Sequence, residues 1–353
     1  MRITGVSPPI KTTTDHLSLN FSTIIDVRSP SEYANDHVPG AINMPVLNDI
    51  ERAEVGTIYK QVGSFEAKRR GAALISRNIS HILETKLVNA PRNFSPLIYC
   101  WRGGQRSGAM ARILSEIGWK VTLLEGGYKT YRKRVLDGLD RIPATLRLII
   151  LRGRTGTAKT TILRAAAKLG TQVIDLEGLA AHRGSLLGSE PGVVQPSQRK
   201  FESRIFDVMR QLDPSRGVVI EAESNSVGKC HVPVELWRSM GRSQSIQITA
   251  PLDARVEFLL EDYKHLMADP ERLNPLLDWA AARVGSDAVL NWRRAIADND
   301  WTRFVKRLLQ DHYDPAYERS SAKHGHKDIC LLETQSLGAG DVAQLAEKLA
   351  TLV

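Results

Sequence analysis

Pro96-Leu97-Ile98-Tyr99-Cys100-Trp101-Arg102-Gly103-Gly104-Gln105-Arg106-Ser107 is the stretch on which the fold turns. Its first four residues are an apolar run of strand length. The spacing that follows predicts a helix with Ala109, Met110, Ile113, Leu114 and Ile117 on one face. A strand, a tight loop with two glycines and a helix N-terminus therefore succeed one another, with a thiol at the strand's end. Backbone N–H groups curled toward one point make an anion nest. The helix dipole and the charges of Arg102 and Arg106 act in the same direction, and all favour the nucleophilic thiolate. A cysteine that only fills core space behaves as a small hydrophobe and needs neither the glycines nor the arginines. Cys100 is thus read as the reactive centre, with Arg102, Gly103, Gly104, Arg106 and Ser107 as its anion-binding loop.

Working outward, Thr23-Ile24-Ile25-Asp26-Val27-Arg28 reads as a buried strand that arrives at a surface, and Ser29-Pro30-Ser31-Glu32 starts a helix with proline in its first turn. A turn and short strand follow at residues 37–43, a long helix at 65–87 and a strand at 121–124. Strands alternating with helices imply a parallel sheet, which places the Cys100 loop at a strand's carboxyl end, where α/β sheets carry their sites. Thr130-Tyr131-Arg132-Lys133-Arg134-Val135-Leu136 reads as a connecting helix with a basic face.

The chain has 353 residues, more than one core usually holds, so two domains are expected, residues 1–140 and 141–353. The three cysteines, Cys100, Cys230 and Cys330, lie far apart. That excludes a disulfide framework and a cysteine-rich zinc site. No apolar stretch is long enough to span a bilayer, and residues 1–6 lack the apolar core of a secretion signal. A cytoplasmic protein with no membrane partner is expected. The formal net charge is +9, with 19 basic against 13 acidic residues in the first 140. That excess helps attract a polyanion but does not by itself identify one.

In the second half, Leu146-Arg147-Leu148-Ile149-Ile150-Leu151 is a strand, followed by Gly153-Arg154-Thr155-Gly156-Thr157-Ala158-Lys159-Thr160 and a helix. Strand, loop and helix are the context a P-loop requires. Its N–H groups would cradle phosphate, Lys159 would reach it, and Thr160 could hold Mg²⁺. The motif expects glycine at position 158. A Cβ there either fits an already negative φ or pushes the loop off the phosphate, so phosphate binding is expected and nucleotide hydrolysis is less secure. Residues 216–223 form a second strand ending in carboxylates, and Glu221 is either a magnesium-side acid or a strand-end surface group. A third strand is expected at 245–249, helices at 253–263 and 341–352, and a mostly helical stretch at 290–309. The glycine-rich stretch 175–188 reads as a substrate loop, with Asp175, Glu177, His182, Arg183, Gly184 and Ser185 as its polar residues. Tyr313 and Tyr317 could stack a splayed RNA base or simply pack a helix end.

Several of these stretches carry a family resemblance. Ile25-Asp26-Val27-Arg28, Glu32-Tyr33, residues 37–43, the Cys100 loop and Leu124-Glu125-Gly126-Gly127 resemble, in order, the signatures of rhodanese (sulfurtransferase) domains. In that family the loop cysteine carries a persulfide sulfur, and Asp26 and Arg28 would brace the loop. From the residues alone that pair is an exposed or capping ion pair. Together with the P-loop, the 175–188 stretch, Gln195-Pro196-Ser197-Gln198 and His312-Tyr313-Asp314-Pro315-Ala316-Tyr317, the chain resembles the tRNA 2-selenouridine synthase family over about residues 15–320. The resemblance implies a rhodanese-like parallel-sheet domain followed by a P-loop NTPase-like α/β domain. It implies tRNA as partner, with a selenophosphate-supplying enzyme nearby. Selenophosphate and geranyl diphosphate would be the substrates, and selenium would replace sulfur in wobble 2-thiouridine through an S-geranyl intermediate. Two other readings fit part of the residues: a sulfurtransferase with a regulatory P-loop, and a tRNA- or nucleotide-binding module without turnover.

Overall fold

The computed structural model describes residues 9–15, 20–184, 188, 192–221 and 224–353. The chain forms two compact units, Met1–Asp137 and Gly138–Val353. The boundary falls inside one helix, three residues before the break at 140/141 expected from sequence.

The first unit runs β1 (Lys11–Thr13), β2 (Thr23–Asp26), α1 (Pro30–Asn35), β3 (Ala41–Asn43), α2 (Asp49–Gln61), α3 (Ser64–Thr85), β4 (Pro96–Tyr99), α4 (Gln105–Glu116), β5 (Thr122–Leu124) and α5 (Tyr128–Arg141), the last crossing into the second unit. Its sheet has the order β1-β5-β4-β2-β3, and every pairing is parallel. That is the arrangement the alternation of elements predicts. The central strand β4 is buried along its whole length, as its unbroken apolar run requires. Ile25, Val27, Ile79, Ile98, Met110 and Leu114 form the heart of the core. Local signals start the helices: the Ser29 N–H donates to Glu32 Oε2 at α1, and the Asn48 side chain accepts from the Glu51 N–H at α2.

Two expectations change here. Ile117 is 51% exposed rather than on the buried face, because α4 ends at Glu116 and Trp119 takes the core position beyond the turn. Helix α2 was not foreseen. Ile50 and Tyr59 point to solvent and the one buried residue on it is Glu51, so no apolar stripe marks it in the sequence.

The second unit runs β6 (Arg147–Arg152), α6 (Lys159–Lys168), β7 (Gln172–Ile174), α7 (Leu176–Ala180), α8 (Gln198–Met209), β8 (Gly217–Glu221), β9 (Ser226–Val227), β10 (Cys230–His231), α9 (Val234–Gly241), β11 (Gln244–Thr249), α10 (Leu252–Asp262), α11 (Lys264–Met267), α12 (Asn274–Val284), α13 (Ser286–Ala297), α14 (Trp301–Leu308), a π-helical turn Leu309–Tyr313, α15 (Asp314–His324), β12 (Asp328–Glu333) and α16 (Ala339–Leu352). The sheet order is β12-β11-β6-β8-β7, all parallel. The closing helix α16 buries Val342, Leu345 and Leu349 in the core that also holds Ile149, Ile162 and Val219. Residues 290–309 are mostly helical, as expected, with one break: the chain turns at Asn299, whose φ is +57°, and Asp300 caps α14 by accepting from the Arg303 N–H. Helices α12 to α14 pack around Trp292 as a separate apolar cluster. The 175–188 stretch is not wholly a loop. Asp175 caps α7 by accepting from the Gly178 N–H at 2.7 Å, and the chain leaves that helix at Ala181 in a left-handed conformation. Among the described residues, no helix is long and apolar enough to cross a membrane.

Candidate active sites

Each unit carries one site at the carboxyl end of its sheet. In the first, Cys100 follows β4 directly and is 4% exposed. Its sulfur accepts from the Gly104 N–H at 3.3 Å and from the Ser107 hydroxyl at 3.2 Å. Burial pushes the thiol up. The Ser107 hydroxyl, the Ser107 and Gly104 N–H groups and the Arg106 charge more than offset it, so the thiol sits below its ordinary value. The thiolate therefore persists to lower pH than in an ordinary cysteine. Replacing Ser107 by alanine removes the largest of the opposing contributions. Because one hydrogen bond is worth about 1 kcal/mol, iodoacetamide labelling of Cys100 at neutral pH is expected to slow several-fold. The pH profile should move upward, with Cys230 and Cys330 followed as separate peptides. An unchanged profile would mean that the hydroxyl does not hold the thiolate.

The loop's shape is set from behind. The Tyr128 N–H donates to the Cys100 carbonyl at 2.8 Å and the Lys129 N–H to that of Trp101 at 3.2 Å. Gly127, at φ +58°, lies so close that a Cβ would fall 2.3 Å from the Cys100 carbonyl oxygen. Arg106 is not an isolated cation: its two terminal nitrogens contact the Glu32 carboxylate at 2.6 and 3.3 Å. Arg102 is exposed. Ser31, Glu32, Arg52, Trp101 and Arg106 line an open pocket on this unit.

Asp26 and Arg28 are neither exposed nor a helix cap. They form a buried pair, 0% and 1% exposed, with Arg28 Nη2 2.6 Å from Asp26 Oδ2 and 2.6 Å from the Asp36 carbonyl. The guanidinium also lies 4.1 Å from the centre of the Tyr128 ring. Tyr128 is the residue that binds the Cys100 carbonyl, so the pair braces the loop through this ring.

In the second unit the P-loop connects β6 to α6. Ala158 has φ +58° and ψ 22°, a left-handed residue, so the option of a negative φ does not apply. Its methyl is packed in the core with Ile162, Val219 and Ile248. A left-handed non-glycine costs roughly 1–2 kcal/mol, and the buried methyl returns about 0.8 kcal/mol. Ala158→Gly is therefore expected to change stability by no more than about 1 kcal/mol, with inorganic diphosphate affinity within about three-fold of wild type. A ten-fold gain in affinity would mean that the methyl obstructs the phosphate.

The Lys159 ammonium donates to the Gly153 carbonyl at 2.7 Å. Thr160 Oγ1 is 2.7 Å from both Glu177 Oε2 and Glu221 Oε2. A hydroxyl has one hydrogen, so one of these contacts needs a protonated carboxyl. Burial pushes Glu221 well above the usual carboxylate range, and the charges of Glu177 and Asp175 add to it. Glu221 is 3% exposed and its Oε1 has no hydrogen-bond partner, so the surface alternative does not hold. One hydroxyl with the buried Glu221 and half-buried Glu177 carboxylates is the hard-oxygen set that Mg²⁺ takes when phosphate completes its shell, so these residues fit the ion. Among the described residues, no three His, Cys, Asp or Glu side chains are arranged to hold a metal by themselves.

A wide cleft on this unit brings together Thr155, Gly156, Thr157, Ala158, Lys159 and Thr160 with Glu177, His182, Arg183, Gly184 and Glu221. Gly153, Arg154 and Asp175 lie outside its lining; Asp175 instead pairs with Arg164 at 2.6 Å. Arg183 contacts Asp262 Oδ2 at 2.6 Å and lies over the Tyr263 ring. Ser185 lies outside the described residues. Tyr313 lines the cleft and Tyr317 does not. Sequence reasoning missed Arg164, Trp279, Arg283 and Arg319 in the cleft, and the buried Arg255, which donates to the Thr155 carbonyl and to both Asp314 oxygens. None of these sits in a motif. The signal for Arg255 was an arginine on the otherwise apolar face of α10.

A cysteine loop on a rhodanese-type sheet, followed by a phosphate loop on a second parallel sheet, defines a rhodanese-like domain fused to a P-loop domain. The rhodanese-like domain family matches residues 11–134, and the family described as tRNA 2-selenouridine synthase AAA domain matches residues 146–275. A tRNA 2-selenouridine synthase of Alcanivorax borkumensis is 38% identical over 344 residues, covering 87% of this chain and 92% of that protein. One from Nitrosomonas europaea is 36% identical over 310 residues, covering 86% and 76%. One from Pseudomonas syringae pv. tomato is 37% identical over 335 residues, covering 85% and 89%. The chain belongs to the tRNA 2-selenouridine synthase family.

Proposed function

We propose that this protein replaces sulfur by selenium in the wobble 2-thiouridine of tRNA, in the cytoplasm, with Cys100 as the nucleophile that frees selenium from its donor and the P-loop as the seat of a diphosphate substrate. The observation that carries the reading is the Cys100 sulfur accepting from the Ser107 hydroxyl and the Gly104 N–H, which favours its thiolate. The selenium of selenophosphate is at the selenide level, so a thiolate so placed attacks phosphorus: the S–P bond forms as the P–Se bond breaks, the electron pair leaves on selenium as selenide, and the exposed Arg102 and the loop N–H groups can hold the phosphoryl oxygens until water hydrolyses the S–P bond and releases phosphate. Selenophosphate is the donor this chemistry suits.

The P-loop would bind geranyl diphosphate. Lys159 would leave the Gly153 carbonyl for the phosphates, and Thr160 with Glu221 would hold Mg²⁺, which supplies charge neutralisation at the departing diphosphate. Alkylating the C2 sulfur turns it into a group that departs as a thiolate with the C–S electron pair when selenium adds at C2. The test is to incubate the full chain with 2-thiouridine tRNA, geranyl diphosphate and selenophosphate, and to weigh the digested nucleosides. Selenouridine is the expected product. Unaltered thiouridine would contradict the proposal, and thiosulfate turnover without tRNA would favour a plain sulfurtransferase.

A further inference from the structure

The P-loop cleft is larger than a phosphate requires. Its free volume is about 1140 Å³, above the roughly 300–1,000 Å³ of an ordinary small-molecule site. The loop N–H groups and Lys159 account for a diphosphate and leave one part of the lining without a task. That part comes from α12, the π-helical turn and α15, and consists of Trp279, Arg283, His312, Tyr313 and Arg319.

These side chains are stacked on one another. Trp279 and Arg283 stand one turn apart on α12, and the Arg283 guanidinium lies 3.6 Å from the centre of the Trp279 ring. The His312 ring meets that indole edge-on, 5.8 Å between centres at 87°, and Tyr313 follows at 4.9 Å from His312. Trp279 is 37% exposed, so a large aromatic stays open to the cleft. The cations are not spent on carboxylates. Arg164, Arg183 and Arg255 are tied to Asp175, Asp262 and Asp314. Arg283 and Arg319 are exposed and, among the described residues, form no ion pair. Both converge on His312. Burial pushes its imidazole below its ordinary value, and the charges of Arg283 and Arg319 push it further, so the ring is neutral at neutral pH.

Rings interleaved with unpaired guanidiniums are what an unstacked nucleotide binds: its base lies on a ring or a guanidinium plane, and the cations take its phosphates. A diphosphate alone gains nothing from the rings, and an acidic peptide leaves their faces bare. Alkyl transfer also needs donor and acceptor in near contact, so the acceptor base must enter the cleft that holds the donor. We infer that Trp279, Arg283, His312 and Arg319 form the seat of the RNA nucleotide presented to the P-loop ligand. The Arg283 guanidinium, backed by Trp279, is the stacking plane, and Arg319 holds an adjoining phosphate. The inference rests on the tRNA-modifying reading given above and names where on the second unit the RNA enters.

An anticodon stem-loop with 5-iodouridine at the wobble position, irradiated with the full wild-type chain and mapped by peptide mass spectrometry, tests the placement. Crosslinks at Trp279, His312 or Tyr313 are expected; crosslinks confined to other segments overturn it. Arg283→Met is expected to weaken binding of a 2-thiouridine stem-loop about ten-fold. Arg319→Gln is expected to weaken it several-fold and to lower the slope of log affinity against log salt by about 0.7, the share of one single-strand phosphate contact. Inorganic diphosphate and ATP should change less than about two-fold in either variant. Variants that bind the stem-loop as wild type does, or that weaken diphosphate or ATP as much as RNA, overturn the seat. Failure of the underlying reading looks different: the wild-type chain itself would then leave 2-thiouridine tRNA unaltered, wherever the crosslinks fall.

Discussion

Arg28→Met is expected to destabilise the first unit by about 3–5 kcal/mol, because it leaves the Asp26 carboxylate buried without its cation. Asp26 is 0% exposed, and two Arg28 nitrogens reach its oxygens at 2.6–3.1 Å. The methylene stem of methionine refills part of the space but returns none of those bonds, nor the one to the Asp36 carbonyl. Urea unfolding of the full chain, followed by the transition that includes Trp101 and Trp119, measures the loss. Adding Asp26→Asn removes the buried charge and is expected to recover a substantial part of it. A single variant as stable as wild type would take the pair out of the account of what holds the Cys100 loop.

Gly127→Ala is the second large effect. Its Cβ would stand 2.3 Å from the Cys100 carbonyl oxygen and 2.6 Å from the Gly103 nitrogen, and both are backbone atoms that cannot swing aside. At φ +58° alanine is strained besides. The loop must move, breaking the bond from the Tyr128 N–H that fixes Cys100. A displacement of about 1 Å at a reacting group costs on the order of 100-fold in rate. Selenouridine formation should fall by at least that much while geranylation of thiouridine continues. Gly108→Ala, in α4 with open space around the new methyl, is the control and should be neutral or slightly stabilising. Equal activity of the Gly127 and Gly108 variants would mean the loop tolerates a shape the geometry forbids.

These two cases also mark what the sequence could tell. The Cys100 loop and the P-loop were readable because each is a contiguous run whose chemistry depends on neighbours in the chain: strand, glycines, cation, helix start. The two parallel sheets followed from the same alternation. Arg28 and Asp26 were misplaced because burial of an ion pair is decided by what packs on top of it, here Tyr99 and Tyr128 from β4 and α5. Gly127 looked like part of a signature, but its reason is a carbonyl 27 positions earlier. Ala158 could not be assigned a φ from its identity, since alanine rarely adopts the left-handed region it occupies. Strands β1, β7 and β12 escaped for a different cause: two are three residues long, and β12 carries an acidic residue at each end and sits at the sheet edge.

The central claim is a division of labour: Cys100 delivers selenium and the P-loop handles the prenyl diphosphate. The most direct measurement is nucleoside mass spectrometry on 2-thiouridine tRNA after incubation with geranyl diphosphate and selenophosphate, using Cys100→Ser and Lys159→Ala in parallel. The account predicts geranylated thiouridine without selenouridine from Cys100→Ser, and thiouridine with neither product from Lys159→Ala. Full selenouridine from Cys100→Ser, or full geranylation from Lys159→Ala, would contradict it.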